Sequence, residues 1–215
     1  MTVLDPLEGH ALWAKTYDAA PNPVVSLEQR TLLRLVPRLN GLTVADIACG
    51  TGRWARALQP RAKSVVSVDL CPQMLLHAPT PRLVADAAAL PLRDSSVDVT
   101  ICSLSLSYAG VGCLAELSRI TRPGGRVLVS DVHPGALRSG WKRSFRVDGE
   151  EIALAFRPYD FWDLLHPNLA LLDIQEVSFG DSDREVFASA GRSDRFKAMA
   201  SAPAVFVAMW VRRAD

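Results

Sequence analysis

Apolar and polar positions along this chain alternate between two periods. Leu42 to Ala48, Ser64 to Asp69, Arg82 to Ala85, Val97 to Cys102 and Arg126 to Val132 are short runs that read as strands. Val65-Val66 and Val127-Leu128-Val129 are apolar on consecutive residues, which predicts strands covered on both faces, as in a parallel sheet. Between the runs lie segments with apolar residues at helical spacing: Leu27 to Leu39, Thr51 to Leu58, Pro72 to His77 and Cys113 to Thr121. Their ends carry matching punctuation. Asn40-Gly41 follows the first, Pro60 stops the second, Pro72 sits early in the third, and Arg122-Pro123-Gly124-Gly125 makes a tight turn after the fourth. Strand alternating with helix predicts an α/β fold with an open, doubly wound sheet.

Beyond about residue 140 the pattern weakens. Trp141 to Phe156 is mixed and charged with no clear period, and Arg157 to Leu165 fits a short helix. Leu169 to Val177 and Pro203 to Val211 read as two further strands. The polar stretch between them, Asp181 to Lys197, fits an exposed hairpin, a helix or a mobile loop. A chain of 215 residues is expected to form one domain. Residues 1–40 would be a helical cap or lid, 41–135 a cofactor-binding core, and 136–215 a substrate-side insertion with C-terminal strands.

Charge narrows the partners. The 24 Lys and Arg are balanced by 23 Asp and Glu, so the basic excess that a broad nucleic-acid or anionic-membrane surface needs is missing. No apolar run approaches the ~20 residues of a membrane helix, and Met1 to His10 lacks the pattern of a signal peptide. A cytoplasmic protein acting on a small molecule is expected, as monomer or homodimer. Cys49, Cys71, Cys102 and Cys113 fall in or beside apolar runs, without C-x-x-C spacing, and read as buried free thiols.

In an open sheet of this kind ligands bind beyond the carboxyl ends of the strands. The first strand ends in Asp46-Ile47-Ala48-Cys49-Gly50-Thr51-Gly52. The glycines permit a sharp turn and a ligand against bare backbone, and the N–H groups of the following helix point to the same place. Gly50-x-Gly52-x-x-Ala55 alone would also fit a dinucleotide. The second strand ends at Asp69, whose carboxylate can accept from both ribose hydroxyls or cap the helix that follows. After the third, Asp86-Ala87 can read an adenine edge through a carboxylate and a backbone N–H, or simply initiate a turn. The fourth carries Asp98 near its start and exits at Ser103-Leu104-Ser105.

These five ordered elements, closed by Arg122-Pro-Gly-Gly125, resemble the class I S-adenosylmethionine-dependent methyltransferases, in the small-molecule group that includes the ubiquinone-pathway enzymes. The resemblance covers roughly residues 40 to 135. It implies S-adenosylmethionine as cofactor, S-adenosylhomocysteine as product, and a seven-stranded sheet of order 3-2-1-4-5-7-6 with strand seven antiparallel. It implies a cofactor site of Asp46, Ala48, Gly50, Thr51, Gly52, Asp69, Leu70, Asp86, Ala87 and Ser103, with Tyr17 closing over it. Backbone at Gly50 and Ser103 would hold the methionine portion. Trp54 stands where the family has a third loop glycine.

Methyl transfer mainly needs alignment of the nucleophile and exclusion of water, with a general base only where the acceptor must lose a proton. His133 is the candidate base, and Asp131 a candidate to orient it or bind substrate. Tyr108 and Trp141, with Trp13 and Trp162, are candidates for the acceptor pocket. The fourth strand ends without the Asn/Asp-Pro-Pro-aromatic motif of amino-methylating enzymes of adenine or glutamine, and no Pro-Cys motif or metal cluster is found, which leaves a small acceptor attacking through oxygen, nitrogen or carbon. Two other readings remain at this point: a nicotinamide-dependent oxidoreductase, which Asp46 and Asp86-Ala87 disfavour, and a protein of this fold that binds the cofactor without transferring the methyl group.

Overall fold

The computed structural model describes residues 2–214. In chain order they form β1 (Thr2–Leu4), α1 (Pro6–Trp13), α2 (Pro23–Leu35), β2 (Thr43–Ile47), α3 (Arg53–Leu58), β3 (Ser64–Asp69), α4 (Pro72–Leu75), β4 (Arg82–Val84), β5 (Val97–Ser103) and α5 (Leu106–Ala109). There follow α6 (Cys113–Ile120), β6 (Thr121–Val132), α7 (Pro134–Arg138), β7 (Ser144–Val147), β8 (Glu150–Leu154), β9 (Leu169–Val177), α8 (Arg184–Ser189), α9 (Phe196–Met199) and β10 (Val205–Arg212).

Seven strands make one sheet in the order β4-β3-β2-β5-β6-β10-β9. The pairs from β4 to β6 are parallel, and β10 runs antiparallel to both β6 and β9. This is the 3-2-1-4-5-7-6 order implied by the family resemblance. Consecutive strand residues enter two separate cores. Val44, Ile101 and Leu128 pack with Leu32, Trp54 and Leu58, while Ala45, Cys102 and Val129 pack with Leu114, Leu117 and Leu137. Both faces are therefore covered, which is why the runs lack polar alternation.

Three local expectations are corrected. The helix expected over Leu27 to Leu39 is α2, which ends at Leu35 because Pro37 disfavours a helical residue before it, and Val36 is extended. Asn40-Gly41 instead turns the chain into β2, with Gly41 at φ +78°. Arg122 to Gly125 does not separate the fifth strand from its helix. It forms an irregularity inside β6, whose pairing to β5 jumps from Val97↔Thr121 to Val99↔Arg126. The 157–165 region forms only a short 3₁₀ turn over Phe161–Leu164.

The unpatterned stretch after residue 140 holds a hairpin. Val147 pairs with Glu150, and Asp148 and Gly149 both have positive φ, the two-residue turn that Asp-Gly favours. β1 adds to β8 in parallel, so the N-terminal cap and the hairpin share a small sheet of order β1-β8-β7. Asp181 to Lys197 resolves into short helices, α8 and the start of α9 linked by 3₁₀ turns.

Candidate functional site

The carboxyl ends of β2, β3, β4 and β5 open into a cavity of about 920 Å³, covered by the N-terminal cap and the hairpin. Of the residues singled out by the sequence, Tyr17, Asp46, Ala48, Gly50, Thr51, Asp69, Leu70, Asp86, Ala87 and Ser103 line it, as do Tyr108 and Trp141. Trp13 lines it too, stacked on Phe145 at 4.7 Å, whereas Trp162 is 80% exposed and lies elsewhere. Gly52, Asp131 and His133 do not reach it.

The two loop glycines serve different ends. Gly50 has φ +57° and would meet nothing within 4 Å if it carried a Cβ, so its bare backbone faces open space. Gly52, at φ +81°, would place a Cβ 2.6 Å from Pro79 Cδ and 2.8 Å from Ala78 Cβ, so it is needed for close packing behind the loop. Ala48 and Leu104, just past the ends of the central strands β2 and β5, are non-glycine residues at φ near +50°. Such conformations cost of order 1–3 kcal/mol each and concentrate at ligand sites.

Carboxylates fix the loop. Asp69 Oδ2 accepts the Gly50 N–H at 2.7 Å, and Oδ1 accepts the Cys71 N–H at 2.8 Å, so one side chain pins the loop and starts the next helix. Burial pushes the Asp69 carboxyl above its usual value, against these N–H donors. Asp46 Oδ2 accepts the N–H of Ala55, third residue of α3, at 2.8 Å and so satisfies a donor with no partner inside the helix. Asp46 is 1% exposed, and burial pushes its carboxyl up to about 7. Asp86 Oδ1 accepts the Ala88 N–H at 2.9 Å, a turn-initiating bond made beside the cavity.

A second network was not anticipated from sequence. Glu28 on α2 is fully buried and accepts from Arg53 Nη2 at 2.8 Å, Ser103 Oγ at 2.8 Å and Ser130 Oγ at 2.6 Å. It thereby holds Arg53, which lines the cavity, beside the end of β5. Its signal was an acid set between Leu27, Thr31 and Leu32 on the buried face of the helix. The cap is tied to the same loop: Thr51 Oγ1 donates to Asp18 Oδ1 at 2.7 Å, and Arg56 Nη2 donates to Asp18 Oδ2 at 3.0 Å.

The catalytic expectations need correction. His133 caps α7, accepting the Gly135 N–H at Nδ1 (3.0 Å), while Nε2 meets Glu176 Oε2 on β9 at 2.6 Å. Both ring nitrogens are thus committed, outside the cavity. Asp131 is fully buried and accepts from the Ser107 N–H at 2.7 Å, the Val132 N–H at 2.7 Å and Arg143 Nη1 at 2.6 Å. It orients Arg143 and does not line the cavity.

Arg143 lines the cavity from the hairpin side, lies 4.2 Å over the Tyr108 ring and also donates to Leu104 O at 2.6 Å. Burial works against its charge, but Asp131 and nearby tyrosines keep it firmly protonated. The histidine that does line the cavity is His10. Its Nδ1 lies 2.7 Å from Pro6 O and donates to it, which fixes the tautomer and leaves Nε2 with a lone pair. Burial and Arg143 lower its pKa to about 4, so it stays neutral. Its ring meets Tyr108 edge-on at 4.9 Å.

The four cysteines are free thiols, and three are buried. Among the described residues no group of three or more His, Cys, Asp or Glu is placed to hold a metal ion, and no helix is long and apolar enough to cross a membrane.

The donor set suits a nucleoside bearing an amino-acid tail. Carboxylates at the ends of β2, β3 and β4 match an ammonium, ribose hydroxyls and an exocyclic amine, and the Arg53 guanidinium matches a carboxylate. Residues 45–129 match the family model described as a methyltransferase domain. The chain is 34% identical over 139 residues to the malonyl-[acyl-carrier protein] O-methyltransferase of Pectobacterium atrosepticum, covering 61% of this chain and 55% of that protein. It is 35% identical over 152 residues to the enzyme of the same name from Serratia marcescens, covering 67% and 59%. The chain therefore spans somewhat more than half the length of these curated relatives. In fold it resembles an S-adenosylmethionine-dependent methyltransferase from Mesorhizobium loti, with a TM-score of 0.68 at 19% identity over 89% of this chain and all of that one.

Proposed function

We propose that this chain, which belongs to the class I S-adenosylmethionine-dependent methyltransferases, transfers a methyl group to a small organic acceptor held between the strand ends and the N-terminal cap. The observation that carries the reading is the convergence of Gly50, Asp69, Asp86 and Ser103, from four successive strand ends, on one cavity. S-Adenosylmethionine, when bound, supplies a methyl group on a sulfonium centre, so the leaving group is already activated.

The chain's own residues then have three tasks. Asp69 would receive ribose hydroxyls while keeping the loop pinned, Asp86 with the Ala87 N–H would read the adenine edge, and Asp46 with Arg53 would face the ammonium and carboxylate of the methionine end. Tyr17, tethered through its neighbour Asp18 to Thr51 and Arg56, would close the cavity against water. Tyr108, Arg143 and His10 would form the acceptor side, where the neutral His10 Nε2 accepts a hydrogen bond from a hydroxyl or amine of the acceptor. The accepting group can be oxygen, nitrogen or carbon. The named relatives methylate a malonyl group on a carrier protein, which makes a malonyl thioester the first acceptor to try.

The test is transfer of a labelled methyl group from S-adenosylmethionine to malonyl thioesters and to panels of small phenols, amines and carboxylic acids, with products identified by mass spectrometry. A labelled product supports the reading. Tight S-adenosylhomocysteine binding without product from any panel or cell extract would mean a cofactor-binding protein that does not transfer.

A further inference from the structure

The exposed edge of the cavity carries charge that the cofactor wall does not use. Arg146 on β7, and Arg192 and Arg195 between α8 and α9, all line it. The carboxylates facing them are Glu151 on β8 and Asp194. Glu151 stands 3.9 Å from the Arg195 guanidinium, and its Oε1 also accepts from the Ser144 hydroxyl at 2.7 Å. Among the described residues neither Arg146 nor Arg192 has an ion pair or a side-chain hydrogen bond. Burial, then Arg195 and Arg146, make the charge on Arg192 harder to hold, against Glu151 and Asp194. Three guanidiniums thus share two carboxylates at a concave surface, in a chain whose net charge is only +1.

Resting on the methyltransferase reading, we propose that Arg146, Arg192 and Arg195 form an anion-binding collar that holds a carboxylate or phosphate group of the methyl acceptor. Guanidinium forks match both groups bidentately, and under-neutralised cations lining a cleft concentrate anions there. The collar is built from β7 and the α8–α9 segment, elements separate from the strand ends that carry Asp46, Asp69 and Asp86. It therefore belongs to the acceptor, and it selects acceptors with an acidic group apart from the reacting atom. Neither segment falls within residues 45–129, so the family match is silent about it.

The test is calorimetric titration of the full chain, with S-adenosylhomocysteine present, using glutarate, inorganic pyrophosphate and the uncharged glutaramide as probes. The wild type, Arg146→Gln and Arg192→Gln are compared at low ionic strength. The collar predicts that the anions bind and the diamide does not. Each substitution should weaken the anions about tenfold, the loss of roughly one charge-assisted hydrogen bond, while S-adenosylhomocysteine affinity stays put. Preference for glutarate assigns the collar to carboxylates, and preference for pyrophosphate assigns it to phosphates. Absence of anion binding, or binding indifferent to both substitutions, overturns the proposal. Failure of S-adenosylhomocysteine to bind would sink the methyltransferase reading instead, and anion titrations without cofactor would still read the collar.

Discussion

On the wall formed by β2 and β3, backbone N–H groups meet carboxylates close by in sequence: Gly50 meets Asp69 across 19 residues, and Ala55 meets Asp46 across 9. Towards the N-terminal cap and the hairpin, side chains from distant segments hold one another. Arg143 bridges Asp131 and the Leu104 carbonyl, and β1 pairs with β8 from the far end of the chain. On the proposed function, the first wall would hold the cofactor with backbone and a fixed set of acids. The second draws on segments outside the central strands, β1, β7 and β8, as expected where a common fold is adapted to different acceptors. Glu28 joins the two, since it ties α2 to Arg53, Ser103 and Ser130.

That junction offers the largest effect. Glu28→Ala leaves the half-buried Arg53 without its carboxylate and two hydroxyls without an acceptor, and should cost about 3 kcal/mol in denaturant unfolding. S-Adenosylhomocysteine affinity should fall with it. Loss of stability with unchanged affinity would mean that Glu28 serves packing alone.

Asp46 sharpens the contrast through pH. Its carboxyl holds a proton up to about pH 7 in the folded chain, against 3.8 as the ordinary value. Folding therefore takes up a proton between those values, and stability falls as pH rises through that window, by about 4 kcal/mol at most. Asp46→Asn keeps an acceptor for Ala55 and removes the charge. Its melting temperature should exceed that of the wild type at pH 8, with the gap closing towards pH 4, while S-adenosylhomocysteine affinity drops at pH 8. Equal affinity in both proteins would take Asp46 out of the cofactor site.

Gly52→Ala forces a Cβ into Ala78 and Pro79 at positive φ, and should cost about 2–3 kcal/mol by thermal unfolding. His133→Ala is the smallest change. It removes a cap on a short helix and a contact with Glu176, for about 1 kcal/mol. It should leave cofactor affinity unchanged and the pH profile of turnover intact. A profile that loses a limb in this variant would restore His133 as a base.

The strands, the loop and its acids were readable because each rests on local pattern: consecutive apolar residues, glycines at a turn, an acid at each strand end. The order of the strands came from the family resemblance. His133 misled because nothing nearby in sequence announces Glu176, whose strand β9 reaches β6 only through β10. Arg143 was hidden for the same reason, its partners lying 12 to 39 residues away. The hairpin was legible in Asp148-Gly149 but was masked by charged residues on both strands. Glu28 was legible as an acid inside an apolar stripe, a signal that also fits a solvated helix edge. The strained Ala48 and Leu104 carry no signal in residue type, because their conformation is imposed by the strands they end.

The most direct measurement is calorimetric titration of the wild type and Asp69→Ala with S-adenosylhomocysteine and, separately, NAD⁺. The account predicts that only S-adenosylhomocysteine binds the wild type, and that the substitution weakens it at least tenfold, the loss of one or more hydrogen bonds to a charged group. Binding of NAD⁺ alone would contradict the account and make the Gly50 loop a dinucleotide site.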